Sequence, residues 1–159
     1  MTAFSVIPLD GRDRSGFACG SIPLDRYFQT QATQDMRRRI AACYIAVERE
    51  TDVLAGFYTL SAADIPVTDL PPDIVKRLPR YPTLPAARVG RLAVDTRFKR
   101  QGLGGALLAD AVLRAAASEI AVFAMVVDAK DASAEAFWRH HGFVAYGSAE
   151  GKMMAGLRG

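Results

Sequence analysis

The stretch from Ala87 to Asp128 limits the fold more than any other. An apolar run, Ala87 to Val94, meets a basic loop, Asp95 to Gln101, then the glycine-rich turn Gly102-Leu103-Gly104-Gly105. A long apolar segment follows to Ser118, and a second, nearly continuous apolar run spans Ala121 to Asp128. Short apolar runs bounded by polar loops predict strands, whereas Leu103 to Ser118 is too long for a strand and predicts a helix. A strand–loop–helix–strand unit commits the chain to a mixed α/β architecture. In that helix the clearly polar residues Asp110, Arg114 and Ser118 recur every fourth position, which predicts one narrow exposed line and burial of the remaining circumference.

The flanks add further elements. Phe4 to Leu9 predicts an edge strand, closed by Pro8 and the Asp10-Gly11 turn signal. Asp25 to Ile40 predicts one helix, with Asp25 as its cap and Arg37-Arg38-Arg39 in its last turn, where the helix dipole favours cations. Ala41 to Val47 and Val53 to Leu60 predict two antiparallel strands. Asp64 to Pro85 carries six of the eight prolines and predicts a connection holding one short helix near Asp73 to Leu78. Asp131 to His140 predicts a helix capped by Asp131 and stopped by Gly142, followed by a strand at Phe143 to Tyr146 and a weak one at Lys152 to Leu157.

The chain of 159 residues, half of them apolar, is long enough for one substantial core, so a single domain over residues 1–159 is expected. Twenty Lys and Arg against seventeen Asp and Glu leave a net charge of +3, which suits an anionic ligand without requiring one. The two cysteines, Cys19 and Cys43, lie far apart with no CxxC spacing and no histidine cluster, so no disulfide framework and no metal site are expected. Asp10, Arg12, Asp13 and Arg14 interrupt the N-terminus before a long apolar run develops, and no segment reaches membrane-spanning length. These features predict a cytoplasmic protein without a membrane partner.

The turn at Lys99, Arg100, Gln101, Gly102, Leu103, Gly104 and Gly105 is the first candidate site. A tight turn entering a helix leaves several backbone N–H groups pointing one way, at the positive end of the helix, and so favours an anion such as phosphate. A side chain at Gly102 or Gly104 would hold the backbone away from phosphate oxygens, while Lys99, Arg100 and nearby Arg97 add positive charge. The residues alone leave open a plain strand-to-helix turn, whose glycines only supply permissive backbone angles. A dinucleotide fold, with Asp128 as ribose partner, is disfavoured by Leu107 at the third glycine position and by the long loop before the glycines; a Walker loop lacks its Lys-Ser/Thr pair.

Gly90-Arg-Leu-Ala-Val-Asp95, the Lys99 to Gly105 turn, and Asp131-Ala-Ser-Ala-Glu-Ala-Phe-Trp-Arg-His-His-Gly-Phe143 together resemble the central half of GNAT acetyltransferases. Asp13 to Phe17, Gln34 to Arg39, Gly56 to Ser61 and Leu78 to Pro82 extend the likeness to the GNAT toxins of type II toxin–antitoxin modules, over roughly residues 6–145. The resemblance implies the GNAT acyltransferase fold: a central, mostly antiparallel sheet flanked by helices. It implies acetyl-CoA as cofactor, with its pyrophosphate on Lys99 to Gly105 and its pantetheine arm along the backbone of Leu92, Ala93 and Val94. Asp131, Ala134 and Phe137 flank the thiol, with Asp131 where the family usually has Asn. It further implies acetyl transfer to the α-amine of an aminoacyl-tRNA, which blocks translation, neutralisation by a ribbon-helix-helix antitoxin, and a homodimer. Acetylation of a small amine or a protein N-terminus is the competing activity.

In those toxins a Tyr in an A-F-Y segment gives the departing thiolate its proton, and here that segment reads Ala136-Phe137-Trp138. An indole N–H donates a hydrogen bond but keeps its proton near neutral pH, so Trp138 can orient a thioester and not act as an acid. Tyr146 is the substitute candidate, with His140, His141 and water as others; a catalytically weakened, coenzyme-binding relative is the non-enzymatic reading. The segment after Tyr146 is short for the family's final strand, which predicts an acceptor side that is either incomplete or supplied by a second subunit. Arg37, Arg38, Arg39, Lys76, Arg77, Arg80 and Arg88 are the candidate tRNA-phosphate partners, on a reading that competes with an ordinary solvated surface.

Overall fold

The computed structural model describes residues 3–157. Seven strands, β1 (Phe4–Pro8), β2 (Ala42–Glu48), β3 (Leu54–Pro66), β4 (Thr83–Val94), β5 (Ala124–Asp128), β6 (Val144–Ala145) and β7 (Lys152–Gly156), form one sheet in the order β1-β2-β3-β4-β5-β7-β6. The β4–β5 ladder is parallel, and β1–β2, β2–β3, β5–β7 and β6–β7 are antiparallel. Five helices accompany them: α1 (Ile22–Thr30), α2 (Ala32–Arg37), α3 (Pro72–Val75), α4 (Leu103–Ala116) and α5 (Ala132–His140). The mixed, mostly antiparallel sheet with helices is the architecture the sequence predicts. The described residues fall into two compact units, one through Ser61 together with Gly90–Ala111, the other Ala62–Val89 together with the chain from Val112.

In the first unit, alternation along β2 sends Cys43, Ile45 and Val47 into a core with Phe17, Phe28 and Phe57, while Tyr44 turns to the other face and stacks on Tyr58 at 5.2 Å. Phe28 lies flat on Phe57 at 4.1 Å and Phe17 meets both edge-on. Burying each such ring contributes about 1.5–3 kcal/mol. The helix predicted over Asp25 to Ile40 is broken at Gln31, which closes α1 and opens α2. The break lets Leu24, Tyr27 and Phe28 of α1 and Ala32 and Met36 of α2 pack on one cluster. Ser21, not Asp25, is the N-cap residue, with Pro23 fixing the first turn; the Asp25 carboxylate accepts instead from the Cys19 N–H at 2.9 Å.

In the second unit, β5 is buried from Ala124 to Val127 between β4 and β7, and Ile65, Leu70, Leu84, Tyr146 and Met154 complete its core. The last strand is interior, not weak: β7 pairs with β5 over Ala124 to Asp128 and with β6 on its other edge. The proline-rich connection is shorter than predicted, because β3 runs on to Pro66 and β4 begins at Thr83, leaving a 3-10 turn at Val67–Asp69 and the four-residue α3. The strand predicted from Ala121 begins at Ala124, and that predicted over Phe143 to Tyr146 reduces to two residues flanked by a buried Phe143 and Tyr146.

Helix α4 overturns its predicted exposure. Asp110 is half-buried and accepts from the Tyr58 hydroxyl at 2.7 Å, Ser118 lies beyond the helix end, and the exposed positions include Ala106, Ala109, Ala116 and Leu113, the last 69% exposed. Uniform apolarity leaves no periodic signal of which side faces water, and the bond to Tyr58 goes with a half-buried Asp110 while Ser118 stays exposed.

Candidate functional site

The turn that follows β4 is held in place by a buried carboxylate. Asp95, 1% exposed, follows the strand and donates its N–H to the Ala55 carbonyl. Its carboxylate accepts from Arg97 N and Nε at 2.9 Å, from Arg97 Nη2 at 3.1 Å and from Ala18 N at 3.2 Å. Desolvation pushes the Asp95 carboxyl up, but these bonds outweigh it and hold the group below the ordinary carboxylate value. Arg97 is therefore occupied by Asp95 and is not one of the turn's available cations, as the sequence reading had it. Phe98 anchors the far side, buried and edge-on to Phe4 at 5.8 Å.

Past these anchors, Lys99, Arg100, Gln101 and Gly102 are exposed. Arg100 and Gly102 both take left-handed backbone angles, with φ of 65° and 77°. No atom lies within 4 Å of a Cβ built on Gly102, so glycine is favoured there by its backbone angle, and the space above it is open. The first bond of α4 runs from Ala106 N to Gly102 O, which leaves the N–H groups of Leu103, Gly104 and Gly105 without intrahelical acceptors. With Lys99 and Arg100 alongside, this is an anion-binding geometry. Leu92, Ala93 and Val94 lie past the part of β4 that pairs with β5, which is Ala86 to Arg88.

Gly56 is a determinant of this region that the sequence reading did not single out. A Cβ there would sit 2.9 Å from the Ala93 carbonyl oxygen and 3.1 Å from Leu107 Cδ1, so only glycine lets β3 pass this close to β4 and α4. The available signal was a lone glycine inside an apolar strand, which marks close backbone approach.

The other candidates belong to the second unit. Asp131 caps α5 as predicted, accepting from Ala134 N at 2.8 Å. Phe137 is half-buried, and Trp138, 7% exposed, packs against it at 5.0 Å and against Phe143 at 5.3 Å. The indole is thus a core side chain of this unit. His140 and His141 are both exposed, with His141 beside Phe137 at 4.7 Å. Tyr146 is buried; burial pushes its hydroxyl up, Asp128, Asp69 and Asp64 act in the same direction, and Arg88 opposes them.

Of the candidate cations, Arg37, Arg38 and Arg39 are exposed in the first unit, and Lys76, Arg77 and Arg80 in the second. Arg88 is half-buried and paired with Asp128 at 2.6 Å, which also occupies the acid that a dinucleotide reading would need. Burial pushes the Cys43 thiol up to about 12 and raises Cys19 too, so neither is a thiolate nucleophile near neutral pH. No helix among the described residues is long and apolar enough to cross a membrane.

Residues 75–158 match the family model described as an acetyltransferase (GNAT) domain. The chain is 30% identical over 125 residues to a probable toxin TacT of Sinorhizobium fredii, covering 76% of this chain and 69% of that protein. It is 32% identical over 136 residues to a tRNA-acetylating toxin of Mycobacterium tuberculosis, covering 84% and 80%. Among solved structures it is similar to AtaT complexed with acetyl-methionyl-tRNAfMet, with TM-score 0.87 and 25% identity over 96% of this chain and 94% of that one. It also shares its fold with an AtaT mutant bound to the C-terminus of the antitoxin AtaR and acetyl-CoA, with TM-score 0.82 and 21% identity over 98% and 94%. With a family model over more than half its length and relatives of this identity and coverage, the chain belongs to the GNAT family of acetyltransferases.

Proposed function

We propose that the protein is an acetyl-CoA-dependent N-acetyltransferase of the toxin type, one domain over residues 1–159, which acetylates the α-amine of an aminoacyl-tRNA and so blocks translation. The observation that carries this reading is the Lys99 to Gly105 turn, with its free N–H groups and exposed cations, in a chain similar to a tRNA-acetylating toxin.

The residues present fit coenzyme A. A pyrophosphate needs convergent donors and positive charge, and the N–H groups of Leu103, Gly104 and Gly105 with Lys99, Arg100, Gln101 and the open space above Gly102 supply both. The family likeness assigns the backbone of Leu92, Ala93 and Val94 to the amides of the pantetheine arm, and Asp131, Ala134 and Phe137 to its thiol end. Bound acetyl-CoA supplies an activated acetyl group. Strand donors orient the carbonyl of that group. Trp138 keeps its proton and serves by packing, while Tyr146, kept protonated by burial, is the residue assigned to hydrogen-bond at the reacting centre.

Exposed Arg37, Arg38, Arg39, Arg77 and Arg80, with Lys76, supply sequence-independent phosphate contacts for tRNA, whereas Arg88 is taken up by its ion pair with Asp128. A cytoplasmic homodimer controlled by a ribbon-helix-helix antitoxin completes the proposal; the complex of the AtaT neighbour with its antitoxin supports an antitoxin partner alone. Incubation with labelled acetyl-CoA and charged tRNA tests it. Label in the aminoacyl fraction supports the reading, and label only on small amines or peptide N-termini replaces it. Coenzyme binding without any transfer favours the second reading, a weakened relative, which the buried Trp138 in place of a tyrosine supports.

A further inference from the structure

Three arginines of the first unit are half-buried, and two of them are spent inside the chain. Arg12 donates from Nε to Asp10 at 2.9 Å, and Arg14 donates to the Phe28 carbonyl at 2.7 Å and to Thr33 Oγ1 at 3.0 Å. The third, Arg91, has no hydrogen-bond acceptor and no carboxylate within ion-pair distance among the described residues. Its guanidinium carbon lies 3.5 Å from the centre of the Tyr27 ring instead. That ring is itself fixed: it lies at 20° to Phe57 with centroids 6.5 Å apart, and its hydroxyl donates to Asp35 Oδ2 at 2.7 Å. Asp35, 8% exposed, takes a second bond from Gln31 Nε2 at 3.3 Å, so its oxygens are occupied within α1 and α2. No fully buried side-chain nitrogen among the described residues lacks a partner, so the unbonded edge of Arg91 reaches solvent.

A guanidinium stacked on an aromatic face keeps its N–H donors in one plane directed outward, the geometry that grips a phosphate through two parallel bonds. The cation loses hydration on the stacked side, and the ring face attracts it in return. Arg91 is thus oriented in advance, and its anion has to come from outside the chain. Arg91 directly precedes Leu92 on β4, and α1 runs between it and the coenzyme turn. At one end, Lys99 Nζ stands 3.6 Å from a Cβ built on Gly20, two residues before α1; at the other, Tyr27 carries Arg91. Ile22 to Tyr27 rises about 8 Å along the helix, so Arg91 stands apart from a pyrophosphate seated on the turn. The other phosphate-bearing participant in the proposed reaction is the acceptor RNA.

We propose that Arg91 binds a phosphodiester of the acceptor RNA, with Tyr27 and Asp35 as the positioning residues that hold its guanidinium edge outward. The inference rests on the aminoacyl-tRNA reading for the identity of the anion. Uncharged tRNA is the probe, titrated against the full-length protein over a salt series, with acetyl-CoA affinity measured beside it. Arg91→Gln, whose planar amide retains the stacking, weakens tRNA about tenfold and lowers the slope of log affinity against log salt by about one. Its acetyl-CoA affinity stays within about twofold of wild type. Arg91→Lys restores the slope and only part of the affinity, because an ammonium lacks the two-donor fork. Tyr27→Leu lowers tRNA affinity and adds nothing to Arg91→Gln in the double variant, whereas Tyr27→Phe, which keeps the ring, stays within about threefold of wild type. Unchanged tRNA affinity and slope in Arg91→Gln overturn the proposal, and a loss confined to acetyl-CoA overturns it by giving the anion to the coenzyme. Additive losses from Arg91→Gln and Tyr27→Leu overturn the positioning role. Wild-type protein that binds no tRNA at any salt overturns the aminoacyl-tRNA reading itself.

Discussion

The Lys99 to Gly105 turn and an open cleft between Thr68 to Pro71 and Ala145 to Ser148 are built from opposite materials. The turn is basic and exposed, its donors are backbone N–H groups, and its shape comes from two left-handed residues, Arg100 and Gly102, that follow the anchors Asp95 and Phe98. The cleft is acidic, its polar groups are side chains, and it is assembled from two segments far apart in the chain, joined by the Gly147 to Asp69 backbone bond. A backbone cradle tolerates many side chains as long as its angles persist, and suits a phosphate group. A side-chain pocket changes with single substitutions.

That contrast predicts a graded series of effects. Trp138→Ala removes an indole buried against Phe137 and Phe143 and costs about 3–5 kcal/mol, read as a lower midpoint in urea, because packing and not ionisation is its role. A large gain of transfer activity in Trp138→Tyr, from an inactive wild type, would instead show the position to be chemical. Asp95→Asn loosens the turn's anchor and costs about 1–3 kcal/mol at neutral pH. Since the folded carboxyl sits below its unfolded value of 3.8, the stabilisation is complete well above that value and fades as pH falls through the folded one. The gap between wild type and Asp95→Asn is therefore flat from about pH 5 upward and narrows below about pH 4 in urea titrations.

Smaller effects separate binding from folding. Gly102→Ala meets no atom within 4 Å, so its fold penalty is only the left-handed angle, about 1 kcal/mol, while acetyl-CoA affinity drops about tenfold by calorimetry. Equal affinity would reduce the turn to a plain connection. Lys99→Ala weakens acetyl-CoA by about two- to fivefold, an effect that shrinks with salt because the side chain is exposed.

Much of the turn was legible because its information is local. Glycines, cations and an apolar helix within a few residues specify a helix N-terminus with free donors, and Asp131 was recognisable as a cap for the same reason, its partner being three residues away. Asp25 looked like a cap and is not one, because the Cys19 N–H competes for its carboxylate. The break at Gln31 carries no glycine or proline; packing of both α1 and α2 on the Phe28 cluster imposes it. Asp110 was placed in solvent since nothing near it in the chain announces Tyr58.

Periodicity and spacing along the chain therefore established the α/β class, most element boundaries to within a few residues, and a glycine-rich turn at a helix N-terminus, because each depends on residues within one or two helical turns of one another. Three-dimensional packing settled that Asp95 rather than a free Arg97 organises the loop, that Trp138 is a core side chain, and that Tyr146 and Asp69 share one cleft. Hydrogen bonds and burial between distant segments are properties of the folded chain, since loop closure brings together groups whose separation in sequence carries no signal.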